Sequence, residues 1–307
     1  MRAGRTRPRA SLLLPRPFAE VMASLEVLLV LLVAAFLAGF GGSFLGIGGG
    51  VFLIPFMTLA LGLEIRTAIA TSLIGVIATS SGAASVYVRD HLTNLRLGMF
   101  LEVATTLGAI SGAVLALLVD EQLLFLSFAA ATLYAGVIMI RTRETAKDRA
   151  YRSGEEDHLT KRLGLSSVYF DQEDQGVYRY RVERPLAGFA ASAAAGGFSG
   201  LLGVGGGFIK VPAMNILMRV PMKAAVATSN FMIGVTAAAS AFIYFSAGFV
   251  EPTLAAMVII GVFTGANIGT RLLLRTKAQR VRFVFAILLA ALGVLMGLRA
   301  FGVAVVL

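Results

Sequence analysis

The sequence predicts an all-α integral membrane protein of two inverted repeats, each with about five membrane-embedded helices, in which glycine-broken helix pairs meet at the centre. Three observations carry this. Apolar residues make up 57% of the chain and charged ones only 14%, with a mean hydropathy of +0.83, so one aqueous-facing core cannot hide the apolar surface. The apolar residues fall in runs near the roughly 20 residues that a helix needs to cross a bilayer. The second half of the chain repeats the first without a gap, Gly46 falling on Gly203 and every later match keeping that offset of 157.

Residues 1–24 form an N-terminal tail rich in Arg and Pro, with no pattern of a folded element. Two readings stay open for it. Arg2 to Arg16 before the apolar run Val27–Phe40 resemble a signal peptide, but no small-residue cleavage site follows; alternatively translation begins at Met22. The first membrane repeat, 25–140, contains apolar runs Leu25–Leu63, Thr67–Val88, Leu95–Val119 and Leu123–Ile140. A polar segment, 141–184, separates it from the second repeat, 185–307, and reads as a cytoplasmic loop with some helix. The second repeat has runs Leu186–Met218, Ala224–Ala247, Thr253–Leu274 and Phe283–Leu298.

The first run of each repeat is too long for one span and has a glycine cluster near its middle, so each is read as two helices meeting at the glycines. An odd number of helices per repeat then inverts the second repeat relative to the first; short helices that only re-enter would change the parity. Retention of Lys and Arg on the cytoplasmic side places 141–184, Arg219, Lys223 and the basic loop ending at Arg282 inside, and the Ala247–Glu251 turn outside. It also places the N-terminus outside, against the charge of the tail.

The repeat is specific. Gly46-Ile47-Gly48-Gly49-Gly50 falls on Gly203-Val204-Gly205-Gly206-Gly207, Pro55 on Pro212, Ala70-Thr71-Ser72 on Ala227-Thr228-Ser229, Tyr87 on Tyr244, Gly108-Ala109 on Gly265-Ala266, and Gly112 on Gly269. Irregular backbone persists inside a membrane only where protein or a water-filled cavity satisfies its polar groups. Gly48, Gly49 and Gly50 with Gly205, Gly206 and Gly207 are therefore candidates for a central site whose helix starts favour an anion; small-residue helix packing is the competing explanation. Thr71, Ser72, Thr228, Ser229 and Asn230 offer short polar side chains nearby, unless they bond their own helix carbonyls. Lys210 is an ionisable residue in an apolar stretch, hence a functional candidate, or else it snorkels or pairs with Glu102. Asn215 and Asn267 are weaker candidates.

Several classes are excluded. The net charge of +10 comes from basic residues in loops between apolar runs, so no nucleic-acid partner is expected. The absence of Cys and the separation of His91 from His158 leave no disulfide framework and no metal site, and no cofactor is expected. Neither glycine cluster has a Gly-Lys-Ser/Thr ending, and no catalytic constellation is visible, so the chain does not read as an enzyme. The expected partners are a small anionic substrate and the lipid bilayer, with a homo-oligomer left open.

With these motifs occurring twice in order, the chain from about Leu25 to Leu298 resembles the TauE/SafE sulfite exporter family. The resemblance implies a multi-pass transporter of a bacterial or archaeal plasma membrane, moving sulfite, sulfonates or related organic acids without ATP. An anion channel and a non-transporting assembly factor are the alternatives. Two departures stand out: the length of 141–184, and Arg89-Asp90-His91 where the second repeat has Ser246-Ala247-Gly248.

Overall fold

The structure, a computed structural model, describes residues 25–141, 157–171, 176–275 and 279–303. The N-terminal tail, with both readings of its origin, and much of the charged inter-repeat segment lie outside the described residues.

Helix α1 (Leu25–Leu45) ends at the first glycine cluster, and the short α2 (Gly50–Pro55) continues as a π-helical turn, Phe56–Ala60. Three long helices follow: α3 (Ile65–Arg89), α4 (Leu95–Leu118) and α5 (Glu121–Arg141). After the inter-repeat segment the same order returns as α7 (Pro185–Leu202), the short α8 (Gly207–Pro212) with its π-helical turn Ala213–Leu217, then α9 (Met222–Ser246), α10 (Pro252–Arg275) and α11 (Gln279–Ala300). Each half thus has five helical segments, as the sequence predicts. Pro55 and Pro212 close the α-helical part of each short helix, where a missing N–H breaks the regular ladder and the wider π turn takes over.

The correspondence extends to backbone conformation. His91 takes the left-handed φ of 56° where Gly248 takes 83°, and Arg219 takes 58° where Gly62 takes 65°. The first-half turn that departs from the glycine pattern therefore keeps its geometry at the strain cost of a non-glycine residue.

Among the described residues, seven helices are long and apolar enough to cross a membrane. Their outward faces carry Leu107, Leu118, Phe242 and Phe245, all well exposed. An apolar exterior around a tightly packed interior is the arrangement lipid requires, and the chain is an all-α integral membrane protein.

The halves are interlocked. α1 packs on α10 and α7 on α4, each first helix against the fourth segment's helix of the other half, while α3 packs on α9 and α5 on α11. The reason lies in the glycines. A Cβ on Gly265 would strike the Phe36 carbonyl, on Gly269 that of Phe40, on Gly108 that of Ala193 and on Gly112 that of Gly197. Only glycine lets these backbones approach so closely. Contacts stepping forward together along both helices make each pair parallel. The Glu183 N–H donates to the Met218 carbonyl at 3.0 Å, so the α7–α8 pair begins and finishes at one end: the short helix turns back towards the end its partner came from.

That end also holds the described part of the inter-repeat segment, which contains more than the helix expected of it. Beside α6 (His158–Leu163), strands β1 (Ser167–Asp171) and β2 (Gly176–Tyr180) form an antiparallel hairpin with Ser167 opposite Tyr180. Tyr169 stacks on Tyr178, and Asn94 Nδ2 donates to the Leu165 carbonyl at 2.7 Å and to Tyr180 Oη at 3.1 Å, which docks the hairpin on the bundle.

Candidate functional site

The two glycine clusters cross at the centre. Gly46, Gly48 and Gly49 have φ of 71°, 92° and 77°, and Gly203, Gly205 and Gly206 have 69°, 75° and 71°, conformations that a side chain rarely permits. The approach is reciprocal: a Cβ on Gly50 would strike the Gly203 carbonyl, and one on Gly207 the Gly46 carbonyl. Val76 and Ile233, themselves equivalent, cover the crossing from both long helices; Ile233 Cγ2 lies 3.1 Å from a Cβ placed on Gly48 and 2.8 Å from one placed on Gly205.

The two serines bind the crossing together. Ser72 Oγ donates to the Gly203 carbonyl at 3.0 Å and Ser229 Oγ to the Gly46 carbonyl at 3.1 Å. Tyr87 and Tyr244 repeat the pattern farther along, donating to the Ser43 and Gly200 carbonyls at 3.2 and 3.1 Å. Each of these hydroxyls has a single proton and commits it to a carbonyl. In this conformation Ser72 and Ser229 therefore act as fasteners between halves, not as donors to a ligand.

The threonines diverge from the expected cluster. Thr228 Oγ1 accepts the Asn94 N–H at 3.0 Å, tying α9 to the start of α4 at the hairpin end. Thr71 Oγ1 is buried without a hydrogen-bond partner. Asn230 Nδ2 donates to the Ser43 carbonyl at 3.2 Å and the Val226 carbonyl at 3.1 Å, while its Oδ1 is buried and unpartnered. Ser199 Oγ is also buried and unpartnered, with its Cβ 3.3 Å from a Cβ placed on Gly206. A buried polar atom left unpaired costs about 1–3 kcal/mol, which makes these atoms open capacity for a ligand group. Asn215 and Asn267 donate to the Val220 and Phe263 carbonyls, each at 2.9 Å, and stand apart from the crossing.

Lys210 is the chemically distinctive residue. It projects from α8, three residues past the cluster, and has no exposed surface. Its Nζ donates to Thr236 Oγ1 at 2.8 Å, and Thr236 Oγ1 lies 2.7 Å from Glu102 Oε1. Thr105 donates to Glu102 Oε2 at 3.0 Å and Thr106 to Oε1 at 3.2 Å. Lys210 therefore does not snorkel. It is joined to Glu102 through one hydroxyl, about 5 Å along α9 from Ile233 and the crossing.

Sequence reasoning named Lys210 and Glu102 but missed Thr236 and Ser199. Thr236 had a signal, since Thr79 occupies the same place in the first half. Ser199 had none, its counterpart being Gly42.

A cavity of about 680 Å³ lies at the end away from the hairpin, lined by Glu64, Glu121, Phe125, Phe249, Glu251 and Arg299 among others. Arg66 braces that end, donating to the Val119 carbonyl at 2.5 Å and pairing with Glu64 at 3.6 Å.

Two like halves of apolar helices, broken by glycines where they meet and with the fully buried Lys210 beside the break, make a multi-pass membrane protein. The family model Sulfite exporter TauE/SafE matches residues 31–296, and the chain belongs to that family. It is similar to "Probable membrane transporter protein YunE" of Bacillus subtilis, 24% identical over 86% of this chain and 95% of the relative. A "Probable membrane transporter protein" of Xylella fastidiosa is 26% identical over 88% of this chain and 95% of the relative. "Probable membrane transporter protein YdhB" of Bacillus subtilis is 25% identical over 79% and 89%. No solved structure matches the chain.

Proposed function

We propose that this protein is a secondary transporter of small anions, of the sulfite, sulfonate or related organic-acid class, in a bacterial-type plasma membrane. The observation that carries the reading is the Lys210 ammonium, fully buried beside the glycine crossing. A cation placed there costs several kcal/mol, a cost that Glu102 offsets at rest through Thr236 and that an incoming anion offsets in its place. Unspent hydroxyls on Ser199 and Thr71 are donors that suit an oxyanion, and the family description names sulfite as the exported ion.

The two halves work as inverted repeats around this site, and rocking of one against the other gives alternating access. The end holding Arg89, Arg96, Arg179, Arg181, Arg219 and Lys223 faces the cytoplasm, and the cavity end with Glu64, Asp120, Glu121 and Glu251 faces outward. No nucleotide site or catalytic group enters the mechanism; transport follows ion and substrate gradients.

The test is uptake of labelled sulfite and of labelled methanesulfonate into proteoliposomes containing the wild type or Lys210→Met. Saturable wild-type flux with counterflow, lost in a variant that still purifies as a folded species, is the expected result. Flux that does not saturate identifies a channel, and equal flux in both proteins removes the site from Lys210.

A further inference from the structure

Thr236 joins two ionisable groups, Glu102 of the first half and Lys210 of the second, neither of which has an ionisable counterpart in the other half. Its hydroxyl accepts from Lys210 Nζ at 2.8 Å and has one proton to donate, with the Glu102 carboxylate 2.7 Å away. Thr105 and Thr106 also turn their hydroxyls on Glu102. Thr236 and Thr105 also lie within 3.1 Å of carbonyls on their own helices, and with their protons turned to Glu102 they suit an ionised carboxylate, which only accepts. The resting arrangement is thus ammonium, hydroxyl and carboxylate in line.

The surroundings isolate this line. Glu102 is on α4, which packs against α7 and α9. Helix α7 has no ionisable side chain; α8 has Lys210 alone; α9 has Lys223 in its first turn and Tyr244 in its last, and Tyr244 is bonded to the Gly200 carbonyl. On α4 itself the other ionisable group is Arg96, in the first turn at the hairpin end. Lys210 is therefore the cation that balances Glu102.

We propose that Glu102, Thr236 and Lys210 form a proton-binding site that couples a proton to each anion. The proposal rests on the anion-transport reading above and adds the coupling ion. An oxyanion arriving at Lys210 takes over the ammonium, and Glu102 is left without its cation in a region from which water is excluded. An unpaired buried charge is costly enough that the group neutralises. Glu102 takes up one proton from the aqueous side, forming one O–H bond and breaking none within the protein, and the monovalent anion and the proton then cross together without net charge. On release the carboxylate gives back the proton and returns to Thr236. Leu53 and Ile259 stand where Lys210 and Glu102 would have their counterparts, so each chain has one such site.

The experiment is calorimetric titration of the purified full chain in detergent with methanesulfonate, which does not itself titrate near neutral pH, in two buffers of different ionisation enthalpy. The wild type is expected to take up a single proton for each anion bound, and Glu102→Gln none. Infrared difference spectra of the wild type are expected to show a protonated carboxyl band rising on binding, which keeps the proposal testable if the variant does not fold. Binding without proton uptake in the wild type overturns the coupling site and leaves the anion reading standing. No binding of methanesulfonate or sulfite, together with no flux in proteoliposomes, removes the anion reading and the coupling site with it.

Discussion

Leu53 and Lys210 occupy the same place in the two halves, each on a short helix just past a glycine cluster and each without exposed surface. Leu53 Cδ1 lies 3.3 Å from a Cβ placed on Gly75, in an apolar contact between α2 and α3. Lys210 instead donates to Thr236, although Thr79, the counterpart of Thr236, bonds only back to the Gly75 carbonyl of its own helix at 2.9 Å. Ile259, opposite Glu102 in the repeat, is substantially exposed on the outer face of α10. The backbone is therefore duplicated and the chemistry is not. Volume and close helix approach build the fold in both halves, whereas each buried charge, Glu102 in the first half and Lys210 in the second, stands opposite an apolar counterpart.

The comparison breaks most sharply at Lys210. Lys210→Leu leaves Glu102 buried without its cation, and a loss of about 3–5 kcal/mol is expected in thermal or denaturant unfolding in detergent. Changing Glu102→Ile as well gives both positions the residue of their counterpart in the other half. That double variant is expected to recover stability to within about 1 kcal/mol of the wild type, because a well-packed apolar pair often replaces a buried ion pair at no cost. It should still lack saturable anion flux, and flux in the double variant would place the transport site elsewhere.

The serine fasteners test the symmetry itself. Ser72→Ala and Ser229→Ala each remove one donor and leave a buried carbonyl without it, so each is expected to cost about 1–3 kcal/mol and the two costs should agree. Clearly unequal costs would show that the two crossings carry different loads in the folded protein.

The smallest effect concerns the bundle's two ends. Asn94 clasps the hairpin, while its counterpart Glu251 lines the open cavity. Burial pushes the Tyr180 phenol up to about 12, against smaller opposing contributions from its hydrogen bonds with Asn94 and Ser167. An acid whose folded pKa is raised contributes stability that is complete below its unfolded value of about 10 and vanishes as pH rises through the folded value. Hydrogen exchange over the described part of 157–182 is therefore expected to accelerate between these limits. Tyr180→Phe, which takes the phenol from Asn94, should loosen the hairpin by about 1 kcal/mol at neutral pH. Unchanged exchange across that pH interval would mean that Tyr180 does not hold the hairpin down.

Composition, run length and the gapless repeat were enough to specify a membrane bundle of five helical segments per half with breaks at the glycines, because lipid allows few ways to satisfy a backbone and glycine marks where it must turn or touch. The repeat also pointed to Ser72 and Ser229, but not to their use: a hydroxyl's partner is a matter of direction in space, and here the partner is a carbonyl of the other half. Thr71 and Thr228 directly precede their serines in sequence yet face elsewhere, since adjacent positions on a helix lie about 100° apart. Most of all, the link between Lys210, Thr236 and Glu102 joins residues far apart in the chain, and it exists only because the glycines bring α8, α9 and α4 together. Local pattern determined the elements; which buried polar groups meet was decided by packing, because hydrogen bonds depend on ångströms that sequence spacing does not encode.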